Sequence, residues 1–141
     1  MIDPSAAVRR AVFAQLSGDA SLAALGNPAL GSRIYDAAPQ RASYPFVAMP
    51  MASVVPALET DGSDGAEVML QVTVSSRSGG ALGAQQIAAR IVELLHDTDL
   101  TTDMGTFVMG RLQMSSVQRE RDGETWHAVQ RFIFIIDEAG G

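Results

Sequence analysis

The sequence predicts an α+β fold: a mostly antiparallel β-sheet, two main helices packed on one of its faces, and a long C-terminal β-hairpin. Three observations predict it. Apolar residues recur at helical spacing near the N-terminus and again over residues 82–96. Val68, Leu70, Val72 and Val74 alternate with Glu67, Met69, Gln71, Thr73 and Ser75, the period of a half-buried strand. Asp122-Gly123 divides two extended runs, the strongest short-range hairpin signal.

Taken in order, Asp3-Pro4 reads as an N-cap followed by a proline at the first helical position. Val8, Ala11, Val12 and Leu16 form the apolar stripe of that helix, with Arg9, Arg10 and Gln15 on the other side. Ser17-Gly18 ends it. Asp19 caps a second, short helix that runs to Leu25 and stops at Gly26 and Pro28. Arg33-Ile34-Tyr35 is a short strand. A loop follows from Pro39 to Pro45, and Phe46–Val55 is extended. Pro50 has no N–H to give a ladder, so this strand lies at an edge or carries a bulge there. Leu58 to Gly65 is an acidic, glycine-rich connection, and the alternating strand comes next. Ser78-Gly79-Gly80 breaks that strand before a helix from about Leu82 to His96, with Ala84, Ile87, Ala88, Ile91, Leu94 and Leu95 toward the sheet. Asp97 to Gly105 reads as a polar connection.

A two-residue type I′ turn at Asp122-Gly123 would set the hairpin register. Arg121 then faces Glu124, Arg119 faces Trp126, Leu112 faces Ile133, and Arg111 faces Phe134. One face carries Val108, Leu112, Val129, Ile133 and Ile135; the other carries Met109, Phe132, Phe134 and Ile136 with Arg111 and Gln113. Helices can cover only one face. The other is expected to be buried by a second copy of the chain.

The 141 residues suit one domain over 1–141, which buries roughly two-thirds of its unfolded surface. A hydrophobic fraction of 47% against 18% charged residues excludes disorder and leaves surface for oligomer contacts. The net charge is −6, and all ten basic residues are scattered arginines. No basic stripe exists to replace the counterions of a nucleic acid, so sequence-specific binding is excluded. An acidic wall suits DNA that only slides past. The absence of cysteine excludes disulfides and thiolate metal sites. The start Met1-Ile2-Asp3-Pro4 lacks a signal peptide's pattern, and the run Phe132 to Ile136 is too short to span a bilayer. Assembly in a reducing bacterial cytoplasm, with no membrane partner, is expected.

The sequence carries few signs of chemistry. His96 and His127 have no partners at metal-ligand spacing and read as surface or packing residues. Asp61-Gly62-Ser63-Asp64-Gly65 lacks the acidic spacing and closing glutamate of a calcium loop and reads as a solvated turn, as do Asp97, Asp99 and Asp103. Gly26 to Arg33 mimics a phosphate loop, but Ser32 stands where lysine is required, Arg33 replaces the hydroxyl, and a strand follows. Ser78-Gly79-Gly80 before a helix serves a strand-to-helix connection better than an anion site. There is no nucleophile elbow, and no carboxylate pair reads as acid and base. The seven methionines read as core filler and adaptable interface. Accordingly no catalytic, cofactor-binding or metal residues are assigned, and the chain is expected not to be an enzyme.

Several strings then fall into a familiar order: Val8 to Leu25 with Asp19-Ala20-Ser21-Leu22, Arg33-Ile34-Tyr35-Asp36 with Pro39, and Tyr44-Pro45-Phe46-Val47. Ser76-Arg77-Ser78-Gly79-Gly80 and Asp122-Gly123 to Trp126-His127, leading into Arg131-Phe132, complete it. From Ala7 to Ile136 the chain resembles the tail-completion (tail-terminator) proteins of siphophages, prophages and gene transfer agents. Ser75 stands where many relatives carry an aromatic, and Asp97 to Phe107 is longer than usual. The resemblance implies helices packed on a sheet and a structural virion protein, and it carries over no catalytic residue. It implies a homo-hexameric ring that caps the head-proximal end of a tail tube. Its partners would be the tail tube protein and the head–tail connector or neck proteins, with DNA passing through.

Ring closure needs two different patches meeting head to tail. The expected donor is the doubly apolar hairpin, through Met109, Arg111, Phe132, Phe134 and Ile136, with Arg111 stacked over Phe134. The expected acceptor is the Phe46–Val55 edge, where Pro50 limits uncontrolled strand addition. Two rivals remain at this point. One is another neck or head-closure component. The other, from a different class, is a small α+β dimer holding a metabolite near Arg111, Gln113, His127 and Arg131.

Overall fold

The computed structural model describes residues 4–56, 65–101 and 107–137. Helix α1 (Pro4–Ser17) and the one-turn α2 (Ala20–Ala23) open the chain. Strands β1 (Ile34–Tyr35), β2 (Phe46–Pro56) and β3 (Gly65–Ser76) follow, then α3 (Gly80–Leu95), β4 (Asp99–Thr101), β5 (Phe107–Arg119) and β6 (Trp126–Asp137). The strands form one sheet in the order β1-β2-β3-β6-β5-β4. Every neighbouring pair is antiparallel except β1 with β2. This is the α+β architecture the periodicities predict. Positions 3, 61–64 and 103, named above as a cap and as turns, lie outside the described residues, as do the side chains of Gly65 and Val108.

Both long helices cover the same sheet face. From α1, Ala7, Val8, Ala11, Val12 and Leu16 are buried; from α3, Ala84, Ile87, Ala88, Ile91 and Leu95 are. They meet the inward rows of the sheet, Val68, Leu70, Val72 and Val74 of β3 and Ala128, Phe132, Phe134 and Ile136 of β6. Burying each of the two phenylalanines contributes roughly 1.5–3 kcal/mol. Arg9 and Gln15 do not stay on the solvent side. Arg9 Nη1 donates to the Met49 carbonyl at 2.7 Å, and Gln15 Nε2 donates to the Leu94 carbonyl at 3.1 Å, so α1 is tied to β2 and α3. Asp19 caps α2 by accepting the Leu22 N–H at 2.7 Å. Its carboxylate also takes two bonds from Arg90 of α3, at 2.8 and 2.9 Å. That pairing holds the Asp19 carboxyl below the usual aspartate value and raises the Arg90 guanidinium.

Pro50 does mark a bulge: the β2–β3 register slips between Ala48 and Met51. The 97–105 connection contains a strand that polarity concealed. In β4, Leu100 points inward and is buried while Asp99 points out. Among the described residues, no helix is long and apolar enough to cross a membrane.

The C-terminal hairpin keeps the predicted register at its tip end and departs from it halfway. Arg119 pairs with Trp126, and the ladder runs regularly to Met114 opposite Arg131. The turn is not type I′, because Asp122 does not have the positive φ that type requires and only Gly123 does, at 75°. Instead Glu120 N–H bonds the Thr125 carbonyl at 2.8 Å, and Gly123 N–H bonds the Glu120 carbonyl at 3.0 Å. The longer loop is centred on the same point, so the register survives and Arg121–Glu124 is part of the loop. Beyond Met114 the register slips by one around Gln113. Leu112 pairs with Phe132 and Arg111 with Ile133, in place of Ile133 and Phe134. A bulge of one residue moves side chains to the other face.

Candidate assembly surface

That slip decides which residues face out. Phe132, Phe134 and Ile136 lie under the helices at 0–1% exposure and are core. Arg111 cannot stack on Phe134, since Gly110 is the residue opposite Phe134 and Arg111 projects from the other face. Phe134 fills the space above Gly110, where a Cβ would come within 2.7 Å of its ring and 2.5 Å of the Leu95 carbonyl oxygen. The helix end is fastened there too: Asp97 N–H bonds the Gly110 carbonyl, and His96 Nδ1 accepts the Leu112 N–H at 2.9 Å.

The uncovered face carries Met51 and Val55 from β2, Met69 from β3, Ile133 and Ile135 from β6, and Met109 from β5. Met109 and Ile135 are about half exposed, at 51% and 48%. Glu67, Met109, Arg111, Gln113, Ile133 and Ile135 line a depression of about 260 Å³. Arg111 has no ion-pair partner among the described residues, whereas Arg131 donates to Gln71 Oε1 at 3.4 Å. An apolar stripe edged by polar groups is the character of a contact surface.

Two other places hold concentrated polarity. At the hairpin mouth, Asp122 Oδ1 accepts the Glu124 and Thr125 N–H groups, both at 2.9 Å, and Oδ2 accepts the Thr125 hydroxyl at 2.7 Å. The Thr125 hydroxyl, the two backbone N–H groups and the nearby Arg77 hold the Asp122 carboxyl down at about 2. Nearby, His127 Nδ1 lies 2.9 Å from Ser75 Oγ, and its Nε2 lies 3.3 Å from Glu120 Oε1. Serine, imidazole and carboxylate are thus in line, but Ser75 is only 2% exposed, so no substrate carbonyl reaches its oxygen. The row joins β3, β6 and the mouth of the hairpin. No group of three His, Asp or Glu side chains among the described residues is placed to hold a metal.

A model of the family described as tail completion protein gp17 matches residues 10–137. The chain belongs to the tail completion protein gp17 family. A comparison with curated proteins gives no match. Among solved structures, a chain from the virion of a native gene transfer agent particle superposes with a TM-score of 0.82 at 22% identity. The alignment covers 97% of this chain and 99% of that one. A second solved chain, 21% identical, reaches a TM-score of 0.53 over 94% of each. At these identities the likeness is one of fold.

This member of the tail completion protein gp17 family is a phage-tail structural protein. Of the five residues singled out for contact with a second copy, the fold brings only Met109 and Arg111 to the open face. Ile133 and Ile135 stand beside them and were assigned to the wrong side by the unbroken register. The run of apolar residues on both parities in β6 was the available signal. Which residues of β5 share their face depends on the bulge at Gln113, which neither proline nor glycine marks.

Proposed function

We propose that the protein forms a ring of six copies that caps the head-proximal end of a phage-type tail tube and joins it to the head. One rim meets the tail tube protein and the other the connector or neck proteins, and DNA passes through the acidic annulus. Family membership supports the tail role. The observation that carries the assembly reading is the sheet itself, covered by helices on one face and apolar on the other. A chain that works alone has no use for Met51, Val55, Met109 and Ile135 in water; a subunit does. Met109 and Arg111, with Ile133 and Ile135, form the proposed contact, and the ring requires it to be heterologous.

Native mass spectrometry of the purified chain tests the ring, with closed six-fold species expected. Imaging tail tubes after adding the protein tests the place of action. Density is expected at one end of each tube; binding along the tube or at neither end rejects the capping reading.

A further inference from the structure

The two edges of the sheet are each only half filled, and in opposite halves. On one edge, β1 pairs with Val47 and Ala48 alone, so among the described residues no strand lies beside residues 51–56 of β2 on that side. On the other, β4 pairs with Phe107, Val108 and Met109 alone, so among the described residues none lies beside residues 114–119 of β5. The registers place these halves along the strand axis. The row of Ala48, beside Tyr35, runs through Thr73 and Val129 to Ser116 on open β5. The row of Val55, on open β2, runs through Glu67 and Ile135 to Met109 and Asp99. β1 therefore stands level with the open part of β5, and β4 level with the open part of β2.

We infer that neighbouring copies join edge to edge in a lap joint, β1 of one copy entering beside β5 of the next and β4 of the next entering beside β2 of the first. This rests on the ring reading and adds to the contact proposed for the open face a second one, between strand edges. The two short strands together complete one strand layer between β5 and β2, one strand wide in both halves. The directions allow it. β1 runs parallel to β2, and β2 is antiparallel to β5 through the intervening pairs, so β1 meets β5 antiparallel and β4 meets β2 parallel. Side-chain parity also agrees, since Ile34 and Leu100 both face the helix layer, where they are buried.

The occupant is a second copy because each edge is the complement of the other, and the guards present, the prolines and bulge of β2 and Arg119 at the end of β5, leave most of each open half free to pair. Edge strands of solitary proteins carry charges that repel an incoming strand. No charged residue occurs in Phe46–Pro56, and the open part of β5, residues 114–119, carries one, Arg119 at its end. Val54 faces the helix side opposite buried Val68, yet it is 40% exposed, with no described strand beside it on the open edge. Beside β1, a groove of about 620 Å³ between the strand and α1, lined by Phe13, Ile34 and Tyr35 among others, leaves room for the incoming edge of β5.

The chain has no cysteine, so engineered pairs report without background. One variant carries Val55→Cys with Asp99→Cys, a second Tyr35→Cys with Ser116→Cys, and a third Ser53→Cys with Asp99→Cys to allow for stagger by two rows. Within one copy the first two pairs lie four strand spacings apart, about 19 Å, far beyond the ~7 Å that a disulfide bridges. Oxidation of the full chain is expected to shift the monomer band on a denaturing gel to a ladder ending at the ring's own size. If native mass spectrometry shows the ring intact and all three pairs stay monomeric, the lap joint is wrong and the ring reading stands. A ladder that stops at dimers also overturns it, because a head-to-tail joint propagates. If no oligomer forms at any concentration, both readings fail together.

Discussion

Phe134 and Ile135 are neighbours in β6 and point to opposite faces of the sheet, the first at 0% exposure beneath the helices and the second at 48% on the open side. The same change at the two positions therefore has two different outcomes. Phe134→Asp places an unpaired carboxylate in the core and costs more than the ~3–5 kcal/mol of a simple phenylalanine truncation. Loss of the cooperative thermal transition is expected. Ile135→Asp is expected to keep the circular dichroism spectrum and melting midpoint while the oligomer falls to monomer by native mass spectrometry. A folded Ile135→Asp chain that still forms the full ring would remove the open face from the contact.

The hairpin loop should weaken in acid. Asp122 has its folded-state value depressed from the ordinary aspartate value of 3.8 to about 2, chiefly by the Thr125 hydroxyl and then by the N–H groups of Thr125 and Glu124. A depressed carboxyl stabilises the fold above its unfolded value, and that contribution disappears as pH falls from about 4 through about 2. Asp122→Ala removes the same bonds at any pH. Thermal midpoints of the two proteins are expected to differ at pH 7 and to converge toward pH 2; a constant gap would show that Asp122 does not titrate in this window.

At Gly110 the absence of a side chain is required by close approach alone. A methyl group there meets the Leu95 carbonyl oxygen and the Phe134 ring. Gly110→Ala is expected to cost about 1–3 kcal/mol through overpacking, read from urea unfolding. An unchanged midpoint would mean the α3 terminus shifts freely.

Deleting Gln113 should be tolerated better than deleting Ser116, three residues away. Gln113 is the extra residue of the bulge, so its loss leaves Leu112 opposite Phe132 and Met114 opposite Arg131 in an unbroken ladder. Loss of Ser116 throws one half of β5 onto the wrong face. Comparison of the two melting transitions checks this, and equal damage would place the strain elsewhere.

These contrasts show what the residues disclosed before the coordinates. The faces of α1 and α3 were legible because a 3.6-residue stripe survives any error in where a helix ends. β3 was legible because Val68 to Val74 alternate without interruption. The hairpin register was legible as far as Met114 because Asp122-Gly123 fixes its centre whichever loop type forms. Beyond that point Gln113 adds one residue with no compositional mark, and Met109 and Arg111 move from the face of Phe132, Phe134 and Ile136 to that of Ile133 and Ile135. β4 was hidden because a three-residue strand has too few residues to display a period. Distances along the sheet edges, and so the two half-filled ends, exist only in the pairing pattern.

The mouth of the hairpin is braced from the side as well as from within. Arg77, just past the end of β3, donates from Nε to the Thr125 hydroxyl at 3.1 Å, lies 3.8 Å from Asp122 Oδ2, and covers the Tyr44 ring at 4.2 Å. A load applied to the turn is thereby delivered to the start of α3 and the segment entering β2, and the two long strands do not flex alone. The projecting tip behaves as a strut anchored at its root, and whatever grips it takes hold of the whole sheet.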